Sequence, residues 1–177
     1  MTQITTWKID TEHSEAQFKV KHLMIASLSG TFKHFSGTVE SEQEDFTDAK
    51  ISFEIDANSV DTYHDVRDGV LRSSEFLDAE NYPKIFFTGS LQKKAYQYML
   101  TGELTLRGIK KNIQLEAELT GTGLGFRGDQ RAGFEVSGKI DRKDFGIHFG
   151  LLTEAGILVV GEEVKLHFDI ELIKTSA

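Results

Sequence analysis

The chain has 177 residues, no cysteine, one proline, sixteen glycines and a formal net charge of −8. This length supports one domain with a real core, and the missing thiols exclude a disulfide scaffold, thiolate catalysis, cysteine-ligated zinc and iron–sulfur clusters. The acid excess argues against nucleic acid as a partner and against docking on anionic membrane surfaces, since no basic stripe is evident to meet phosphates.

The segment Met1–Trp7 has no basic start followed by an apolar run, so no secretory leader is read. The expected location is cytoplasmic, or periplasmic if a leader has been trimmed. The most apolar stretch, Ala155–Val160, is too short to span a bilayer. Period-two alternation then dominates the chain. Ser14, Ala16, Phe18, Val20 and His22 share one face of a first strand, and Thr31–Glu40 is a less regular second run. The acidic segment Glu40–Asp45 reads as a solvated tip. Ile51, Phe53, Ile55 and Ala57 alternate next. Thr62–Ser73 is the one helical segment, with Tyr63, Val66, Val70 and Leu71 as an apolar stripe and Thr62 with Asp65 resembling a capping box.

Ile85–Leu91 is the next strand, followed by Tyr98, Leu100, Gly102, Leu104 and Leu106 on one face. Arg107-Gly108-Ile109-Lys110 makes a tight hairpin into Ile113, Leu115, Ala117 and Leu119. Gly121, Gly123, Gly125 and Gly128 mark a mobile connection. Ala132–Ile140 and Val164–Leu172 complete about eight amphipathic strands. The fold class is therefore mainly β: a single domain over residues 1–177, built as an extended antiparallel up-and-down β-barrel with one short helix closing an end. Small inward residues (Ala16, Gly102, Ala117, Ala132, Gly138) leave room for a ligand; the alternative is that they only accommodate bulky neighbours such as Phe18, Phe53, Phe134 and Phe168.

Motifs for chemistry are sparse. The six histidines show no metal-helix spacing and no His-x-His on one strand face. By parity His22 joins the apolar set, either as a core-edge histidine or as a ligand or general base, while His167 lies on the outward set. There is no nucleophile elbow and no phosphate loop. Glu162 and Glu163 face opposite ways on a strand, so they do not form a matched acid–base pair. Arg67-Asp68 and Arg142-Lys143-Asp144 place Arg near Asp at segment ends, either as structural pairs or as a polar ligand contact.

The motifs together resemble the YceI-like family. They are Trp7-Lys8-Ile9-Asp10 with His13-Ser14, Phe18–Leu23, Gly30-Thr31-Phe32 with Phe35-Ser36-Gly37, Arg67–Ser73, Phe76–Ala79 with Tyr82-Pro83, Leu104–Gly108, Arg142–Gly146 and Gly161–Val164. The resemblance implies a lipocalin-like barrel that binds a polyisoprenoid, holding an isoprenoid lipid or quinone tail inside. Some members carry a signal peptide. The helix motif often has a histidine where this chain has Val70.

The expected function is thus non-catalytic binding, storage or transport of a long apolar isoprenoid-type lipid, with no cofactor and no metal. Phe18, Val20, Phe32, Phe53, Ile55, Phe87, Leu104, Leu106, Phe134, Val136, Ile140 and Phe168 would line the interior, together with Phe145. Val70, Leu71 and Phe76 would close it, and His22 and Arg142 would meet the polar end. The thirteen phenylalanines fit a dry lining, since Phe has no polar group to satisfy. Two alternatives stand beside this: an enzyme acting on an apolar substrate through His22 and Arg142, and a stress-related protein-interaction module with a filled core. A homodimer is compatible with each of the three.

Overall fold

The computed structural model describes residues 3–176; Met1 and Thr2, at the head of the N-terminal segment read above, and Ala177 lie outside the described residues. The alternating segments pair into one antiparallel sheet that closes on itself. Three of its staves are broken. β1 (Thr5–Ile9) and β2 (Glu15–His22) both pair with one edge of β11 (Val160–Ser176), through Ile9↔Leu172 and Phe18↔Leu166. They form one barrel strand interrupted at residues 10–14. β3 (Ala26–Phe32) and β4 (Phe35–Ser41) break at Lys33-His34, and β5 (Lys50–Asp56) and β6 (Val60–Asp61) break at Ala57–Ser59. β4 pairs with β1 and β5, whereas β3 pairs with β2 and β6, so the breaks run side by side across the wall. β7 (Lys84–Lys94), β8 (Gln97–Leu106), β9 (Ile109–Leu124), β10 (Gln130–Asp141) and β11 are unbroken, each antiparallel to the next. The result is an eight-stranded closed barrel with a single short α-helix, α1 (Asp65–Arg72).

The turns follow backbone chemistry. Arg107 and Gly108 both take positive φ, 54° and 71°, as the hairpin between β8 and β9 requires. At Gly102 an added Cβ would meet the Gly89 Cα at 2.6 Å and the Phe87 ring at 2.7 Å, so two strands close on one another there. At Gly138 the Leu115 side chain fills the equivalent space. Gly102 and Gly138 therefore seat large neighbours; they are not the source of interior room.

Several expectations are corrected. The Gly121 and Gly123 region is not a mobile connection: β9 runs to Leu124 and pairs with β10, and the turn is confined to residues 125–129. The helix starts at Asp65 with His64 as N-cap, its side chain accepting from Arg67 N–H, so Thr62 is not the cap. Thr62 instead gives its N–H to Asp68 Oδ1 at 2.8 Å, while Arg67 Nε donates to the Thr62 hydroxyl. That satisfied Asp68 is the buried side of α1, so Tyr63, Val66 and Val70 turn outward and only Leu71 of the apolar stripe faces in. The acidic segment Glu40–Asp45 ends in Phe46, which is 2% exposed and plugs one end of the barrel.

A polar staple spans the first break. Arg131 Nη1 donates to Asp10 Oδ2 and to Glu171 Oε1, both at 2.7 Å, and His13 Nδ1 lies 2.8 Å from Asp10. Arg131 chiefly holds the Asp10 carboxyl below the usual carboxylate range, and Asp10 in turn raises His13. A lowered acid contributes stability above its unfolded pKa and loses it as pH falls through the folded value; a raised histidine contributes below its unfolded pKa and loses it as pH rises through the folded value. The stability advantage of the native chain over Asp10→Asn, read from thermal unfolding across pH, is therefore expected to be greatest in weak acid. It should shrink at strongly acid pH and again above neutrality.

Candidate functional site

Inside the barrel the inward faces leave two adjoining chambers of about 100 and 140 Å³. Ile55, Ile85, Leu104, Leu166 and Phe168 line both, so they share one wall. The first chamber is lined entirely by apolar residues. It takes in Phe53, Phe87, Phe134 and Val136 from the sequence-based set, and also Ile9, Val39, Phe46, Ile51, Leu100 and Leu115. Its closed end is an aromatic chain: Trp7 and Phe46 lie 5.1 Å apart, Phe46 and Phe134 5.1 Å apart edge-on, and Tyr98 lies 5.8 Å from Phe134. Phe46 reaches this position through a backbone φ of 62°, uncommon for so bulky a residue. Tyr98 satisfies its hydroxyl on the Asp45 carbonyl at 2.5 Å.

The second chamber is lined by Phe18, Val20, Phe32, Leu71, Phe76, Leu106 and Ile140 from the predicted set, with Val60, Ile147, Val160 and Val164 in addition. Gln17 and Arg142 are the only polar residues along its wall, and they present their stems, not their polar atoms, to the chamber. Phe53 and Phe168, at 5.7 Å in a T-shaped pair, stand where the chambers meet.

Arg142 is the buried cation of this site, 4% exposed. Its Nε donates to the Gly161 carbonyl at 2.8 Å and Nη1 to Ile147 at 2.7 Å; Nη2 donates to Phe149 at 2.6 Å and Val160 at 3.0 Å. Burial pushes its pKa down, against the opposing fields of Glu162 and Asp141, yet a guanidinium stays charged at this depth. Four carbonyl bonds hold the segments on either side of the 150–158 excursion and close the end of the second chamber. Arg142 therefore pairs with backbone, not with Asp144. Arg67 and Asp68 likewise meet on Thr62.

Three predicted site residues lie elsewhere. His22 ends β2 exposed and lines neither chamber. Its alternation continues past the level at which the barrel has an inside. Val70 is 43% exposed on the outer side of α1, and Phe145 is 1% exposed but packed in the core away from both chambers. Sequence reasoning missed Phe46 and the β11 start at Val160; an apolar residue directly after an acidic loop was the available signal for the first. On the outer wall, His167 Nε2 lies 3.3 Å from Asp169 Oδ2 and 3.6 Å from Glu135 Oε1, so three donor side chains from two strands converge there.

A YceI-like domain model matches residues 7–172, nearly the whole chain. The chain belongs to the YceI-like family. It is 41% identical over 168 residues to Protein YceI of Salmonella newport (strain SL254), covering 93% of this chain and 85% of that protein, and equally similar to the Salmonella arizonae protein. Among solved structures, Burkholderia cenocepacia BcnA superposes with a TM-score of 0.80 at 21% identity, covering 92% of this chain and 98% of that one. The Campylobacter jejuni YceI protein gives 0.75 at 30% identity, over 89% and 91% of the two chains. A Saccharophagus degradans domain described as polyisoprenoid-binding gives 0.68 at 19%, over 96% and 98%.

The clamp makes a direct prediction. Arg142→Lys keeps a charge but lacks the planar fork that reaches four carbonyls. The variant should lose about 3 kcal/mol, or roughly 6–12 °C in Tm by circular dichroism, because buried carbonyls are left unpaired. Amides around 149–161 should be the first to lose hydrogen-exchange protection.

Proposed function

We propose that this chain binds an isoprenoid-type lipid non-catalytically, with the apolar tail in the two adjoining chambers, and serves as its carrier or store. The observation that carries this reading is a pair of adjoining chambers walled by aliphatic and phenyl groups, with Gln17 and Arg142 the only polar residues along them and almost no polar atom facing in. Such a void has no partners for water and stays dry, so an apolar chain enters it without displacing well-held solvent. The polyisoprenoid-binding description of the Saccharophagus domain supports the same ligand class.

Size sharpens the ligand. A dry cavity of about 150 Å³ takes a benzene-sized group, so the two chambers in this form take about two five-carbon isoprene units. At ~0.8 kcal/mol per buried carbon group this is roughly 8 kcal/mol gross, enough to survive several kcal/mol of association cost. A longer tail has to turn aside the Phe53–Phe168 pair or extend past the chamber ends. The filled-core alternative finds no support in a barrel with this void. The enzyme alternative needed His22 beside Arg142, and His22 stands outside.

The test is solvent extraction and mass spectrometry of the purified chain, followed by titration with isoprenoid quinones of graded tail length. Affinity is expected to rise steeply over the first two units and more slowly beyond. Absence of both a co-purified lipid and any quinone binding would overturn the reading. Phe168→Trp, which fills the wall common to both chambers, should weaken binding about tenfold or more while costing only about 1–3 kcal/mol of stability.

A further inference from the structure

The end of the barrel beyond the second chamber carries apolar side chains that the fold leaves uncovered. β2 and β3 meet at Leu23 and Met24, whose φ angles are 53° and 57°, closed by Ile25 N–H on the His22 carbonyl at 3.0 Å. Turns of this hand favour Asn and Gly; here two large apolar residues occupy them and are presented at a projecting tip. Leu23 N–H donates to the Val159 carbonyl at 2.9 Å, and Val159 N–H to the Leu151 carbonyl at 3.0 Å. The tip, the approach to β11 and the 150–158 excursion therefore lie side by side. On them Met24 is 57% exposed, Ile25 80%, Leu151 57%, Leu152 54% and Ile157 42%.

The charge around this patch differs from that of the molecule. From Ala16 to Val39 the chain has no Asp or Glu, although it holds 28 acids in all. Lys19, Lys21 and His22 are exposed below the tip, and among the described residues no ion pair engages either lysine. Lys33, farther down, is held by Asp61 at 2.9 Å. The excursion 150–158 has one carboxylate, Glu154. Across from Lys21 on β11, Glu162 and Glu163 are each engaged by a lysine, Lys143 at 2.9 Å and Lys139 at 3.1 Å. This end thus carries little of the net charge of −8, and the composition-level argument against anionic surfaces does not extend to it.

We propose that this end docks on a bilayer containing anionic lipids, with Met24, Ile25 and the Leu151–Leu152 pair among the headgroups and Lys19 and Lys21 facing phosphates. An apolar tip above a cationic collar is the chemistry of a lipid surface. The inference rests on the lipid-binding reading of the cavity and gives it a route. Arg142 lines the second chamber and also holds the Phe149 and Val160 carbonyls, so the patch is rooted in the chamber wall. The acid excess on the remaining surface would be repelled by the same bilayer and turn this end toward it.

Flotation of the full chain with vesicles of phosphatidylcholine containing about 30 mol % phosphatidylglycerol tests the proposal. The chain should float with them at low salt and less on pure phosphatidylcholine. Met24→Asp with Ile25→Asp should reduce the vesicle-bound fraction about tenfold or more, and Lys19→Glu with Lys21→Glu should remove the gain from phosphatidylglycerol. Both variants should keep their circular dichroism spectra and their uptake of isoprenoid quinone added from ethanol. Quinone uptake thereby tests the cavity reading separately from docking. A native chain that fails to float on either vesicle overturns the docking, as does a Met24→Asp, Ile25→Asp variant that floats like the native chain. Light scattering that shows a dimer which this variant splits, without vesicle binding, would assign the patch to a second copy and overturn it equally.

Discussion

The edge of β11 carries the architecture. One strand accepts β1 along its C-terminal half and β2 along its N-terminal half, while β10 occupies its other edge. Closing the ring through this strand pairs the backbone polar groups of the wall with one another, so the interior needs no water to satisfy them. The break between β1 and β2 lets one chain segment follow the strongly coiled wall. The Asp10–Arg131–Glu171 staple ties that break to β10 and β11. Without the double pairing there would be two exposed sheet edges and no enclosed space.

A dry interior follows from what faces it. Phenyl rings and aliphatic chains have no donors or acceptors to satisfy, and Arg142, the one buried cation among the described residues, spends its fork on four carbonyls. Arg142 is thereby made compatible with an apolar neighbour: its donors are aimed at the loop backbone, and its stem closes the chamber. At the opposite end, Phe46 and Tyr98 do the same work with an aromatic face and a single hydroxyl bond. Polarity is thus concentrated at the two ends and excluded from the span between them, which suits a ligand with a long featureless tail. The stretch from Ala16 through β3, which has no Asp or Glu, continues the same asymmetry on the outside.

Much of this was legible in the residues. Alternation assigned Phe18, Val20, Phe53, Leu104, Phe134 and Phe168 to a common inner face, and all of them line the chambers. The misses have physical causes. His22 obeys the alternation of β2, but parity describes only which way a side chain leaves the strand, not whether another wall stands opposite. Val70 belongs to a helical stripe, yet Thr62 satisfies the buried Asp68 and so rotates α1 to bury the other side. Phe145 is apolar and buried but lines neither chamber. Phe46 enters through a left-handed backbone conformation that no local periodicity signals.

The sequence by itself determined most of the strands, though not β1, most of β3 or the break at Lys33-His34, together with the dry chemistry of the inner face and the family. These are local properties: side chains alternate because an extended backbone pleats, and a Phe is apolar wherever it lies. Only the tertiary structure decided that the sheet closes through β11, that Arg142 turns to carbonyls, and that two chambers of 100 and 140 Å³ remain. Empty space is a difference between the volume the strands enclose and the volume the inward side chains fill. Gly102 and Gly138 illustrate this, for each absent side chain is replaced by a neighbour's bulk, and the void lies where no neighbour reaches.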